Sequence, residues 1–235
     1  MSYFLTDEEK ERFRNALIAA IAVPFIDDIE DYIVESIWAY AKNIIIPDPF
    51  FNVRSKKLFD VTDNCRYIGW SVKSLQWEFT LGCEFELVIQ RAAVYKKAEE
   101  LGFFGLSSNS EPEVIGEALL KHWKQKVEND ARTQGVQDKR IIVLLKSVDR
   151  KRFSIFEDEL HTYTPDEIHW QWTNEEKSGL QGIRRSDGMC VYRWYPSQTQ
   201  FFERFTLPND AYHFTLEPRR LEIGVAVDKL VEYLQ

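Results

Sequence analysis

The sequence predicts a mixed α/β fold with an antiparallel β-rich subdomain at its C-terminal end. Three observations predict it. Helix signals fill the N-terminal part, a continuous apolar run at 141–145 is typical of a buried central strand, and short aromatic strands separated by turns follow residue 167. We therefore expect a core over 1–165 and a β-rich subdomain over 166–235 that packs on the core and ends in a helix.

The first two elements are predicted to be helices. Thr6 and Glu9 have the spacing of a capping box, so a helix is expected from about residue 7 to residue 22, where Pro24 ends it. A second helix is expected from residue 27 or 28 to residue 43, because isoleucines recur there at helical spacing.

A hairpin is predicted between residues 58 and 73, and it brings an acid next to a lysine. Asp60 lies in an apolar, β-branched run, and the second strand ends at Lys73. With a two-residue turn at 64–65, Asp60 shares one face of the hairpin with Ser71 and Lys73, because side chains alternate between faces along a strand.

The length of the turn decides which acid stands beside the lysine. A three-residue loop would slip the register by one residue and put Asp63 in the place of Asp60. We favour Asp60 because it lies inside the apolar run and not at its edge. Asp48, between two prolines, ranks behind both, since those prolines favour an irregular connector.

A helix is predicted from Glu84 to Leu101, because apolar residues recur there three or four positions apart. Glu86, 13 residues after Lys73, lies on it, and Gln90 follows one turn later on the same face.

An acid, a turn, an S-x-K strand and a helix follow one another in this order between about residues 30 and 100. In this order of elements the chain resembles the PD-(D/E)xK nuclease superfamily, in particular the restriction endonucleases. The usual pattern is an Asp followed by (D/E)-x-K, and this chain has Asp60 followed by Ser71-Val72-Lys73. Some restriction endonucleases have S-x-K here and take the missing carboxylate from the following helix, where Glu86 is expected.

The resemblance implies a restriction-endonuclease-like core, a mixed sheet flanked by helices, that uses Mg²⁺. The ion takes oxygen ligands, polarises the phosphate and lowers the pKa of a bound water. Lys73 would orient that water or offset charge in the transition state. The implied site comprises the catalytic set Asp60, Ser71, Lys73, Glu86 and Gln90, and the metal set Asp60, Glu86 and Glu35.

The second predicted helix has two acidic residues that could lie near the metal, and two arguments favour different ones. Helical periodicity places Glu30 within the apolar arc and Glu35 nearly opposite its centre. The resemblance favours Glu35, because related nucleases often carry a Glu followed by apolar and aromatic residues on this helix. We carry Glu35 forward as an outer metal ligand.

Candidate DNA-contacting residues lie in the second half of the chain. A helix is expected from Pro112 to about Arg132, then the strand at 141–145 and the densest basic cluster, at 146–152. The aromatic strands after residue 167 also carry Arg and Gln, which read base edges. The predicted DNA contacts are Arg184, Arg185, Arg193, Gln198, Gln200, Lys151 and Arg152.

Composition narrows the functional classes. The net charge of −8 disfavours a protein coated in non-specific nucleic-acid affinity, but a nuclease needs basic residues in one cleft only. Three cysteines without metal spacing make a disulfide scaffold or zinc site unexpected and favour a reducing cytoplasm. No signal peptide or membrane span is expected.

The resemblance, which this composition permits, implies a Mg²⁺-dependent, sequence-specific endonuclease of double-stranded DNA, similar to type II restriction enzymes. A homodimer is expected, because cutting both strands of a symmetric site calls for two active sites. A repair or junction nuclease on the same core is the nearest alternative. A non-catalytic DNA-binding protein is the alternative that Ser71 favours, and an interaction protein without nucleic acid is the one that the net charge favours.

Overall fold

The computed structural model describes residues 5–25, 28–45, 57–77, 84–217 and 219–235. These residues form a mixed α/β structure with two five-stranded sheets and four α-helices. In chain order the elements are α1 (Asp7–Ala22), α2 (Asp31–Ala41), β1 (Val61–Asp63), β2 (Ile68–Gln76), β3 (Glu84–Arg91), α3 (Pro112–Gln134), β4 (Asp138–Lys146), β5 (Arg152–Glu159), β6 (Ile168–Trp172), β7 (Leu180–Arg184), β8 (Cys190–Tyr195), β9 (Gln200–Thr206), β10 (Tyr212–Thr215) and α4 (Ile223–Leu234).

The chain divides into two compact units, and each unit contains one sheet. The first unit comprises Met1–Phe79, Ala131–Leu160 and Asp210–Gln235, and the second comprises Thr80–Asp130 and His161–Asn209. This division differs from the predicted boundary at residue 165. The strand β3 and most of α3 join the later strands, whereas β10 and α4 return to the first unit.

The first unit begins with the helix that the capping box predicts. The Thr6 hydroxyl accepts a hydrogen bond from the Glu9 backbone N–H, and the Glu9 carboxylate accepts one from the Thr6 backbone N–H. These bonds satisfy two of the N–H groups that have no partner within the helix. Phe13 and Leu17, four residues apart, are fully buried on the inner face of α1.

The sheet of the first unit has the strand order β1-β2-β4-β5-β10. Strands β2 and β4 run parallel, with Val72 opposite Ile142, and the other pairs are antiparallel. Strand β4 is the central strand, as its continuous apolar run predicts, and Ile141–Leu145 are buried. Helix α2 contributes Trp38 to the same core, with its ring edge-on to that of Trp70 on β2.

The sheet of the second unit is wholly antiparallel, in the order β3-β9-β8-β7-β6. Its buried face is aromatic and includes Trp170, Tyr192 and Phe201. Helix α3 packs on Trp170 through Gly116, where a Cβ atom would lie 2.2 Å from the ring. Glycine is therefore required at position 116 for the helix to approach the sheet this closely.

The helix predicted from Glu84 to Leu101 is wrong. Residues 84–91 form β3, and residues 94–102 form successive turns. Phe85, Leu87 and Ile89 are buried at a period of two, which is the spacing of a strand. Pairing with β9, in which Phe85 lies opposite Phe205, determines this conformation.

Candidate active site

The hairpin of β1 and β2 places Asp60 beside the S-x-K strand. Val61 pairs with Trp70, and the backbone N–H of Asp60, the residue directly before β1, donates to the Trp70 carbonyl at 2.9 Å. The predicted two-residue turn is wrong, because residues 64–67 form a four-residue turn. The register therefore shifts by two residues, and Asp60, Ser71 and Lys73 keep the predicted common face.

The Asp60 side chain is partly buried, and its charge has little compensation. Its Oδ2 accepts a hydrogen bond from the Val72 backbone N–H at 2.8 Å, and the Lys73 ammonium lies 4.0 Å away. Burial raises the pKa of Asp60 to about 6, although Lys73 and the Val72 N–H lower it, and the charges of Glu35 and Asp31 raise it further. The site thus holds a carboxylate that a second cation would stabilise.

Helix α2 brings two carboxylates towards Asp60. Glu35 is half-buried, and its negative charge is near enough to raise the pKa of Asp60. Asp31, one turn earlier, accepts hydrogen bonds from the Ser74 backbone N–H at 3.0 Å and from the Ser74 hydroxyl at 2.6 Å. Asp31 therefore ties the start of α2 to β2 at the residue after Lys73.

The prediction that Glu30 is the partly buried acid is wrong. Helix α2 begins at Asp31, so Glu30 is its N-cap residue, outside the helical periodicity, and is exposed. Asp31 was missed by the sequence analysis. Its signal is the four-residue spacing to Glu35, which puts both acids on one helix face.

Asp63 does not occupy the position beside Lys73. Its Oδ1 accepts hydrogen bonds from the backbone N–H groups of Cys65 and Arg66, at 2.9 and 3.1 Å, and so caps the hairpin turn. Asp48 lies outside the described residues.

Glu86 and Gln90 lie in the second unit, on β3 and not on a helix. The Glu86 Oε1 is 2.9 Å from the Arg193 guanidinium and 3.2 Å from that of Arg204. The Gln90 amide lies 2.7 Å from Nδ1 of the buried His122. The helical geometry that linked both residues to the S-x-K strand is therefore absent, and two arginines already balance the Glu86 charge.

The predicted DNA contacts are distributed over both units. In the second unit, Arg184 is held by Asp187 and by the Tyr163 hydroxyl, and the exposed Arg185 pairs with Glu113 at 3.2 Å. In the same unit, Arg193 and Gln200 lie on β8 and β9, and Gln198 lies in the turn between them. In the first unit, Lys151 pairs with Glu217 at 3.3 Å and Arg152 begins β5; both are exposed.

The donor chemistry around Asp60 fits Mg²⁺ bound by two carboxylates. Enzymes often hold this ion through one or two carboxylates, with waters and substrate phosphates as the other ligands. Within the described ranges, no group of three or more His, Cys, Asp or Glu side chains is arranged to hold a metal. Asp60 and Glu35 are the two candidate ligands, because Glu35 is half-buried and its charge acts on Asp60.

We found no match for the chain among protein-family models, curated proteins or solved structures. Among the described residues, no helix is long and apolar enough to cross a membrane.

Proposed function

We propose that this protein is a Mg²⁺-dependent endodeoxyribonuclease with a restriction-endonuclease-like core. The observation that carries the proposal is the partly buried Asp60 carboxylate, which lies directly before β1 and 4.0 Å from the Lys73 ammonium on the neighbouring strand β2 of a mixed sheet. A carboxylate with a raised pKa beside a lysine is typical of a functional site. The resemblance of the Asp60 and Ser71-Val72-Lys73 pattern to that nuclease superfamily gives the reaction class.

Asp60 and Glu35 would hold the ion, which supplies Lewis acidity and a water of lowered pKa when bound. The Val72 N–H fixes one oxygen of Asp60, so the other oxygen keeps a defined orientation. Lys73 holds a positive charge where negative charge develops on the phosphate, and its N–H groups orient the attacking water. Ser71, two residues before Lys73 on β2, is only 1% exposed.

We further propose that the substrate is double-stranded DNA and that the protein acts as a homodimer, as restriction enzymes do. Two copies would supply two active sites for the two strands of a symmetric sequence. A junction or repair nuclease on the same core remains the nearest alternative.

A non-catalytic DNA-binding protein is the second candidate, and one observation favours it. Glu86, the acid that the resemblance assigns to the metal, pairs with two arginines of the second unit. The proposed site therefore depends on Glu35 as its second carboxylate.

The test is incubation of plasmid and phage DNA with the purified full chain and Mg²⁺, beside EDTA and an Asp60→Asn variant. We expect cleavage by the wild type that both controls abolish. Absence of cleavage together with metal-independent retardation of DNA on a gel would favour the binding protein. Cleavage that persists in Asp60→Asn would contradict the proposed site.

A further inference from the structure

The sheet of the second unit has one face that its own unit does not bury. Residues directly opposite each other in a sheet share a face, so the strand register defines a row across all five strands. That row is Val88, Phe202, Arg193, Gln181 and Gln171. Every member is half-buried or exposed, whereas Phe201, Tyr192 and Trp170, on the opposite face, are at most 2% exposed. We call the side that carries this row the open face.

A second, shorter row adds Arg91, Gln200 and Tyr195 to the open face. The rings of Tyr195 and Phe202 meet edge to face, with centroids 5.4 Å apart, and are partly exposed. Partly exposed aromatic rings on a flat sheet are platforms on which unpaired bases stack.

The charge of the open face suits a polyanion, although the chain as a whole is acidic, with a net charge of −8. The two rows contain Arg91 and Arg193 and no acid. Arg204, beside them on β9, shares Glu86 with Arg193 and also contacts Glu84. Glu86 offsets part of the charge of Arg193, so the exposed Arg91 is the main positive charge that the two rows offer to phosphates.

The width of the sheet indicates whether the open face suits double-stranded or single-stranded DNA. Five strands at about 4.8 Å spacing span about 19 Å between the outermost strands. The major groove of undeformed B-DNA is about 12 Å wide, so a face of this width does not enter it. A single strand can lie across the sheet, with its bases on the aromatic rings and its phosphates near the arginines.

From these observations we infer that the open face binds single-stranded DNA. The inference rests on the proposed function and specifies its substrate as DNA with an unpaired segment, which favours a junction or repair nuclease over a restriction enzyme. Gln181, Gln171 and Gln200 supply hydrogen bonds to the edges of the stacked bases.

The test is fluorescence anisotropy of the full chain in EDTA, with a labelled oligo(dT) of about 20 nucleotides and a duplex of equal length. We expect oligo(dT) to bind at least about tenfold more tightly than the duplex, with a salt slope of about −2 if three phosphates are neutralised. Phe202→Ala should weaken oligo(dT) binding by about five- to 150-fold, the effect of one stacked base. Arg91→Gln should reduce the slope by about 0.7.

Phe104→Ala is the matched control, because Phe104 is 84% exposed in a turn of the same unit and belongs to none of the sheet's strands. It should bind like the wild type. Equal or tighter binding of the duplex, no binding of either DNA, or an equal loss in both phenylalanine variants would overturn the inference. Cleavage of DNA without a preference for single-stranded DNA in binding would contradict only the inference that the open face binds single strands. Single-strand binding without cleavage would contradict only the proposed nuclease activity.

Discussion

Asp60 in the first unit and Glu86 in the second show how differently two carboxylates at a sheet can be compensated. The Glu86 carboxylate has two arginine guanidinium groups within 3.2 Å, whereas Asp60 has one lysine at 4.0 Å. The side chains are equally exposed, at 22% and 23%, so burial alone does not separate them. The difference indicates that Glu86 stabilises its own sheet, and it is the basis of the proposal that Asp60 binds a further cation.

The largest expected effect in the first unit is on cleavage. Lys73→Ala should slow single-turnover cleavage by about 100- to 1,000-fold, because a preorganised charge beside the phosphate is lost. Lys124→Ala is the matched control, since Lys124 is an exposed lysine that pairs with Glu128 on its own helix, and it should keep the wild-type rate. Equal rates in the two variants would show that the Asp60–Lys73 pair is not the cleavage site.

Asp60→Asn should stabilise the protein at neutral pH while abolishing cleavage. The pKa of Asp60 is about 6 in the folded chain, above the ordinary value of 3.8, so the folded state binds the proton more tightly. Stability of the wild type therefore falls as pH rises from about 4 to about 6, by up to about 3 kcal/mol. Asparagine lacks this titration and still accepts the Val72 N–H.

Urea unfolding of both proteins from about pH 4 to about pH 7.5 measures this difference in unfolding free energy. The Asp60→Asn advantage should grow with pH across the window and stay constant above it. If the stability difference between Asp60→Asn and the wild type were the same at about pH 4 and about pH 6, the pKa of Asp60 would not be raised in the folded chain.

Glu86→Gln tests whether the Glu86 carboxylate stabilises the second sheet. Removing this charge leaves Arg193 and Arg204 without their shared carboxylate, so the second sheet should lose about 1 kcal/mol of unfolding free energy, a value between those for exposed and buried pairs. Cleavage should continue at a rate within a few-fold of the wild type. Loss of Mg²⁺-dependent cleavage without loss of stability would restore Glu86 to the metal site.

Asp63→Ala should have the smallest effect. Asp63 accepts two backbone N–H groups in the hairpin turn, so its loss should cost about 1 kcal/mol of stability. The cleavage rate, measured under conditions where the variant is folded, should not change. A cleavage defect as large as that of Lys73→Ala would assign the metal acid to Asp63 in place of Asp60.

Local signals in the sequence were sufficient for much of the fold. The capping box at Thr6, the proline that opens α3 and the apolar run of β4 each act within a few residues, and each predicted element is present. The common face of Asp60 and Lys73 was also predictable, since alternation along a strand survives a register shift of two residues.

The rest depends on contacts distant in sequence. The apolar positions of 84–101 fit helical spacing, but Phe85, Leu87 and Ile89 also fit a strand, and the pairing with β9 more than 100 residues later decides between them. Whether Glu30 or Glu35 is partly buried depends on where α2 begins, whereas the resemblance alone favoured Glu35 as the site acid. The Asp31–Ser74 contact joins a helix and a strand that no local pattern connects.

The most direct test of the central claim is an NMR titration of the Asp60 carboxyl group with and without Mg²⁺. Without the ion, we expect a pKa of about 6 for Asp60. With saturating Mg²⁺ the apparent pKa should fall, because the ion binds the ionised form and competes with the proton. A pKa near 6 that does not respond to Mg²⁺ would contradict the claim that Asp60 binds the metal.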